Sequence, residues 1–135
     1  MFRQTTIAVL LLFALCCTGC FGPKKADNFQ VLDVSFEWAG NAGSLSSPNP
    51  EITIKNVPAG TAFLEIRMTD LDSPTFDHGG GVLAYDGTGV IPVGALKNYR
   101  GPEPPSTHRY VFRITALNAD KSIALGEGKA MRKYP

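Results

Sequence analysis

Apolar and polar residues alternate along much of this chain with a period of two, the spacing that puts every second side chain on one face of a β-strand. Leu32, Val34, Phe36 and Trp38 alternate with Asp33, Ser35 and Glu37, which predicts a half-buried strand, and Gly40, Asn41, Gly43 and residues 44–50 then form a long polar loop. Ile52 and Ile54 alternate with Glu51, Thr53 and Lys55 in a second strand, closed by the turn Val57-Pro58-Ala59-Gly60. Leu64, Ile66 and Met68 alternate with Glu65, Arg67 and Thr69 in a third, which delivers Asp70 at its C-terminal end. Residues 81–85 read as a short strand stopped by Asp86-Gly87, and Tyr110, Phe112, Ile114 and Ala116 mark the longest late strand. Helix is scarce: residues 93–99 and 129–133 are expected to form one or two short helices, without strong caps. Short strands, Gly/Pro-rich connections and no long amphipathic helix predict an all-β, antiparallel β-sandwich rather than a parallel α/β sheet.

The first twenty residues follow a different rule. Arg3 precedes an unbroken apolar run over residues 7–15, and Thr18-Gly19 precede Cys20 as small residues precede a processing site. Nine apolar residues are too few for a membrane-spanning helix, which needs about 20. Cys17-Thr18-Gly19-Cys20 resembles the bacterial lipoprotein lipobox, so residues 1–19 are expected to be a lipoprotein signal peptide and Cys20 the lipidated residue. An ordinary signal peptide cut nearby, or an uncleaved anchor, is the competing reading. Residues 20–29 carry Gly, Pro and charge without apolar periodicity and are expected to be the lipidated cysteine and a tether, leaving residues 30–135 as one sandwich domain.

Removing residues 1–19 of the 135 leaves 116, enough for one hydrophobic core. All 3 cysteines lie at or before position 20, so the domain itself has no disulfide to lean on. Only Arg3 is charged in the leader, so 12 basic side chains face 12 acidic ones in the remainder. That balance argues against a nucleic-acid partner, which normally needs a basic face. The expected location is the bacterial cell envelope, attached to the membrane through the lipid. Phe21 after Cys20, in place of Asp, resembles lipoproteins sorted to an outer membrane facing the periplasm.

Two segments carry candidate chemistry: Asp70-Leu71-Asp72-Ser73-Pro74 with His78 downstream, and Gly101-Pro102-Glu103-Pro104-Pro105 leading into His108-Arg109-Tyr110. Prolines hold the backbone still beside acidic and imidazole groups at strand ends, where loops on a rigid support carry function. Asp70 and Asp72 share one side of an extended chain, so their charges call for a donor or cation such as His78 or Arg109; Asp72 alternatively caps the turn before Pro74. Gly79-Gly80-Gly81 offer amide donors to a phosphate or carboxylate, or else form a flexible hairpin connection. His108 and Tyr110 share one side of the pleat, whereas Arg109 points away and is expected to reach a carboxylate. Glu103 is given no site role.

These residues are similar in order and type to those of the phosphatidylethanolamine-binding proteins, in particular their small bacterial, Raf kinase inhibitor-like branch, over roughly residues 36–116. The resemblance implies a β-sandwich with a small anion-binding cavity at one end, with Asp70, Asp72, Pro74, His78, Gly101, Pro102, His108 and Tyr110 as ligand-binding residues. Relatives usually carry a Trp where Gly79 stands, so that wall of the pocket is expected to be missing or supplied by another residue. Three classes of function follow. The first is a binding module for a small anionic or phosphorylated ligand, with no cofactor and no recognisable catalytic nucleophile. A structural or protein-partner module of the envelope is the second. The third, a metal-dependent hydrolase built on His78, His108 and a carboxylate, lacks any strong metal-ligand spacing.

Overall fold

The computed structural model describes residues 22–135, so the leader and Cys20 lie outside the described residues. Eight strands follow one another: β1 (Lys24–Val31), β2 (Asp33–Phe36), β3 (Ile52–Lys55), β4 (Phe63–Asp70), β5 (Asp77–Ala84), β6 (Val90–Ile91), β7 (His108–Leu117) and β8 (Ile123–Tyr134). They form a five-stranded sheet in the order β1-β8-β7-β4-β5 and a three-stranded sheet in the order β2-β3-β6. All pairs are antiparallel except β1 with β8, which run parallel.

The two sheets face each other because their inward positions are large and apolar. Leu32, Val34, Phe36, Ile52 and Ile54 pack against Leu64, Ile66 and Met68 of β4 and Tyr110, Phe112, Ile114 and Ala116 of β7, all buried. Burying a side chain of this size stabilises the fold by about 1.5–3 kcal/mol, so these positions dominate its energetics. At one end of the core, Trp38 donates its Nε1–H to Lys133 O at 2.8 Å and meets Phe36, Tyr110 and Tyr134 edge to face.

The all-β sandwich matches the expectation, and three details differ. No helix occurs among the described residues. Residues 129–133 belong to β8, whose inward positions are Gly126, Gly128 and Ala130; a side chain at Gly128 would strike Leu32 and Val34, so the strand is built from small residues and shows no apolar stripe. Residues 93–99 form successive turns pinned by the fully buried Asn49, whose Oδ1 accepts from Leu96 N–H at 2.9 Å and whose Nδ2 donates to Pro92 O at 3.0 Å. Residues 24–29, expected as tether, belong instead to β1, an edge strand whose backbone pairs with β8 at Lys24 and Lys25 and again at Gln30 and Val31, with a bulge between; such an edge needs no apolar face, which is why alternation misses it. At Leu32, whose N–H donates to Glu127 O at 3.0 Å, the chain crosses to the other sheet.

One buried polar atom lacks a partner among the described residues, the Tyr99 hydroxyl. Burial holds this phenol well above its ordinary range, with the Tyr110 hydroxyl adding to the effect. Because an unpaired buried hydroxyl costs desolvation without return, Tyr99→Phe is expected to leave stability unchanged or raise it by about 1 kcal/mol, read from chemical denaturation. A loss of 2 kcal/mol or so would mean that the hydroxyl has a partner.

Candidate functional site

Strand alternation carries Leu64, Ile66, Met68 and finally Asp70 into the space between the sheets, so a carboxylate ends an otherwise apolar row. Asp70 is 3% exposed and lies opposite Tyr110 in the β4–β7 ladder. A buried carboxylate must be satisfied, and this one is. Its Oδ1 accepts the N–H groups of Asp72 (2.8 Å) and Ser73 (3.0 Å), which shapes the turn after β4, and its Oδ2 accepts Nδ1–H of His108 at 2.6 Å.

His78, at the start of β5 and also 3% exposed, is fixed in the same way by a different group. Its Nδ1 donates to Arg100 O at 2.8 Å, while its own backbone carbonyl accepts Arg100 N–H at 2.9 Å. Its ring meets Tyr110 edge-on at 5.3 Å and lies 4.6 Å from Phe76, ring centre to ring centre. Since a carbonyl and a carboxylate accept only, both imidazoles carry hydrogen on Nδ1, and neither Nε2 has a partner among the described residues.

These groups surround a cavity of about 180 Å³ at one end of the sandwich. Asp70, Ser73, Phe76, His78, His108 and Tyr110 form its inner wall, and Leu45, Glu103, Pro104 and Pro105 its mouth. The volume falls below the roughly 300–1,000 Å³ of pockets that hold drug-sized ligands, so the space suits a small group. Glu103 Oε2 accepts Leu45 N–H at 3.4 Å, tying the two loops of the mouth together.

Of the eight residues expected at the site, Asp70, His78, His108 and Tyr110 meet in this cavity and the other four do not line it. Asp72 is turned outward by the two-residue step across the turn, where Arg109 clamps it: NH2 to Oδ1 at 2.7 Å, Nε to Oδ2 at 3.2 Å and the Arg109 backbone N–H to Oδ2 at 2.7 Å. Pro74 is exposed on the turn. Gly101 and Pro102 lie buried behind the mouth, where Gly101 N–H donates to Leu45 O at 3.1 Å and a side chain on residue 101 would strike Ser47 Oγ and Ser44 O.

The three glycines take neither of the two parts open to them from sequence, an anion cradle or a flexible hairpin connection. They sit in β5, outside the cavity, with Gly79 against the Asn98 carbonyl and Gly80 against that of Ile66. Phe76 lies against the His78 ring and forms part of the wall, a role visible in sequence only as a lone apolar residue between Pro74 and His78. Leu45 is likewise a lone apolar residue in a polar loop. Glu103, given no role from sequence, lines the mouth. Among the described residues no three of His, Cys, Asp or Glu converge to hold a metal ion. Asp70 is already committed to His108 and two backbone N–H groups.

Electrostatics follows from these contacts. Burial by itself pushes the Asp70 carboxyl up, but His108 and the N–H groups of Asp72 and Ser73 outweigh it and bring the group below its ordinary value. Hydrogen bonds from the Arg109 side chain and backbone hold Asp72 down at about 2, against an ordinary 3.8. Burial first, then the Asp70 charge, pushes the Tyr110 hydroxyl far up, so it stays protonated. Both carboxyls are more acidic folded than unfolded. The stability they contribute is therefore complete above the unfolded value near 3.8 and is lost as pH falls through each folded value, which for Asp72 is about 2. Thermal melts between pH 5 and 2 are expected to show the melting point falling on the acid side of pH 4, with a shallower fall in Asp72→Asn; a flat profile would contradict the pairing.

Comparison with known proteins places the architecture. No protein-family model matches the chain, and no curated protein matches it in sequence. Among solved structures it is similar to one from Chlamydia trachomatis described as a phosphatidylethanolamine-binding protein homologue, with a TM-score of 0.57 and 14% sequence identity, over 78% of this chain and 97% of that one. In its fold, this chain is a phosphatidylethanolamine-binding protein-like β-sandwich.

Proposed function

We propose that this protein is a binding module for a small anionic or phosphorylated ligand, exported and anchored to the cell envelope through a lipid on Cys20. The observation that carries the reading is the pair of imidazoles in one cavity, each tied through Nδ1 and each left with an Nε2 that has no partner among the described residues. A neutral Nε2 accepts a hydrogen bond from a protonated phosphate or carboxyl, and a protonated one donates to the anion. Asp70 does not oppose this, because three donors already surround its charge. Its work is to fix the His108 tautomer and ring orientation, as outer carboxylates do for functional histidines elsewhere.

A role purely in envelope structure finds less support. Exposure of Trp38 or of other large apolar residues would mark a partner surface: Trp38 is packed against the core and hydrogen-bonded, whereas Leu71, Val82, Val93 and Met131 are exposed. Binding is tested by thermal shift of the exported domain with inorganic phosphate, O-phosphoethanolamine and acetate. At least one is expected to raise the melting point in proportion to the logarithm of its concentration, by mass action on the folded state. No shift with any of them, at concentrations well above physiological, would reject the reading.

A further inference from the structure

We infer that the cavity opens away from the membrane that holds the protein, so that its ligand is a free phosphorylated solute and not the headgroup of a lipid in the anchoring leaflet. The inference rests on the proposed binding cavity and on attachment at Cys20.

The parallel pairing of β1 with β8 carries the argument. Lys24 lies beside Ile123, at the start of β8, so the chain enters the large sheet at the end where Phe63, Ala84 and Leu117 also lie. The cavity residues lie at the opposite end: Tyr110 pairs with Asp70 on one side and Arg132 on the other, and His108 pairs with Tyr134. At about 3.3 Å per residue, the nine steps of β8 from Ile123 to Arg132 separate the two ends by about 30 Å. The chain itself confirms the direction, because Trp38, reached after β1 and β2, is already in contact with Tyr110 and Tyr134.

What precedes β1 is short. Four residue steps from Cys20 to Lys24 reach at most about 14 Å fully extended. Had residues 20–29 been a free tether, the domain could invert over its anchor and dip the cavity into the headgroups. With Lys24 and Lys25 paired to Ile123 and Ala124, the remaining link is less than half the length of the domain, and inversion is out of reach. A phosphomonoester or phosphodiester group is the shared chemistry of a free solute and a lipid headgroup, and the geometry selects the former.

The test uses the full lipidated chain bound to phosphatidylethanolamine–phosphatidylglycerol vesicles that contain a lipid with a headgroup nitroxide quencher. Ala119→Cys, in the exposed β7–β8 turn, and Ser106→Cys, exposed beside the cavity, each carry one fluorophore. Quenching is expected to be several-fold stronger at 119 than at 106; equal or stronger quenching at 106 would overturn the orientation. Free O-phosphoethanolamine is expected to raise the melting point of the vesicle-bound protein as much as that of Cys20→Ala protein, with no response to the phosphatidylethanolamine content of the vesicles. A melting point that follows lipid content instead would overturn the choice of a free solute. If none of inorganic phosphate, O-phosphoethanolamine and acetate shifts either form, that choice falls with the binding reading, while the quenching contrast still reports orientation. Failure of the chain to float with vesicles would overturn the inference through its anchor.

Discussion

Gly80→Ala is expected to lower the melting point by about 10 °C. Gly80 has φ +147°, a backbone region that L side chains rarely enter, and its missing Cβ would fall on the carbonyl of Ile66 in the neighbouring strand β4. Strain of this kind costs about 1–3 kcal/mol and forced overpacking a similar amount, so about 3 kcal/mol in total is expected. For a domain of this size that corresponds to the stated fall in melting temperature. Gly87→Ala supplies the comparison. Gly87 also has a positive φ of 85°, but nothing lies within 4 Å of its added Cβ, so about 1 kcal/mol is expected. Equal melting points for the two variants, measured by circular dichroism, would show that the β4–β5 contact is not tight at this point.

The second large effect falls on binding. His78→Asn and His108→Asn each keep an N–H near the position of Nδ1, so donation to Arg100 O or to Asp70 survives while Nε2 is removed. Loss of a hydrogen bond to a charged ligand costs about 1.5–3 kcal/mol, which weakens binding by about 10- to 100-fold in Kd. The two rings both pack on Tyr110, so the double variant is expected to lose less than the sum of the single losses. Titration calorimetry with the best anion from the thermal-shift series reads the affinity, and a melt of each variant confirms that the fold is retained. Wild-type affinity in both single variants would remove the histidines from the site.

How much of this was visible in the sequence depends on which physical signal each part leaves. β2, β3, β4 and β7 bury large apolar side chains on one face, and their period-two pattern is legible without coordinates. β8 hides because β2 and the crossover at Leu32 press so closely on it that only Gly126, Gly128 and Ala130 fit inward. β1 hides for the opposite reason: an edge strand paired through its backbone has no buried face to record.

The site divides in the same way. Asp70, His108 and Tyr110 follow from strand alternation next to proline-bounded loops, and Arg109 from its place on the other side of the pleat. Phe76 and Leu45 reach the cavity from loops whose course is set by tertiary packing, for which a lone apolar residue is the faintest of signals. Gly79 and Gly80 mislead because the same lack of a Cβ serves an anion cradle and a close backbone crossing equally well. Only the positions of the Asn98 and Ile66 carbonyls decide between them.

The proposed contact, in which both imidazoles offer Nε2 to one anion, is directly measurable because the chain has 2 histidines. With ¹⁵N in the histidine rings alone, a nuclear magnetic resonance titration with inorganic phosphate reports four nitrogens. The Nε2 resonances of His78 and His108 are expected to move together and saturate at one concentration, while both Nδ1 atoms remain protonated. Nε2 resonances that stay in place at saturating phosphate, or that follow two unrelated curves, would contradict it.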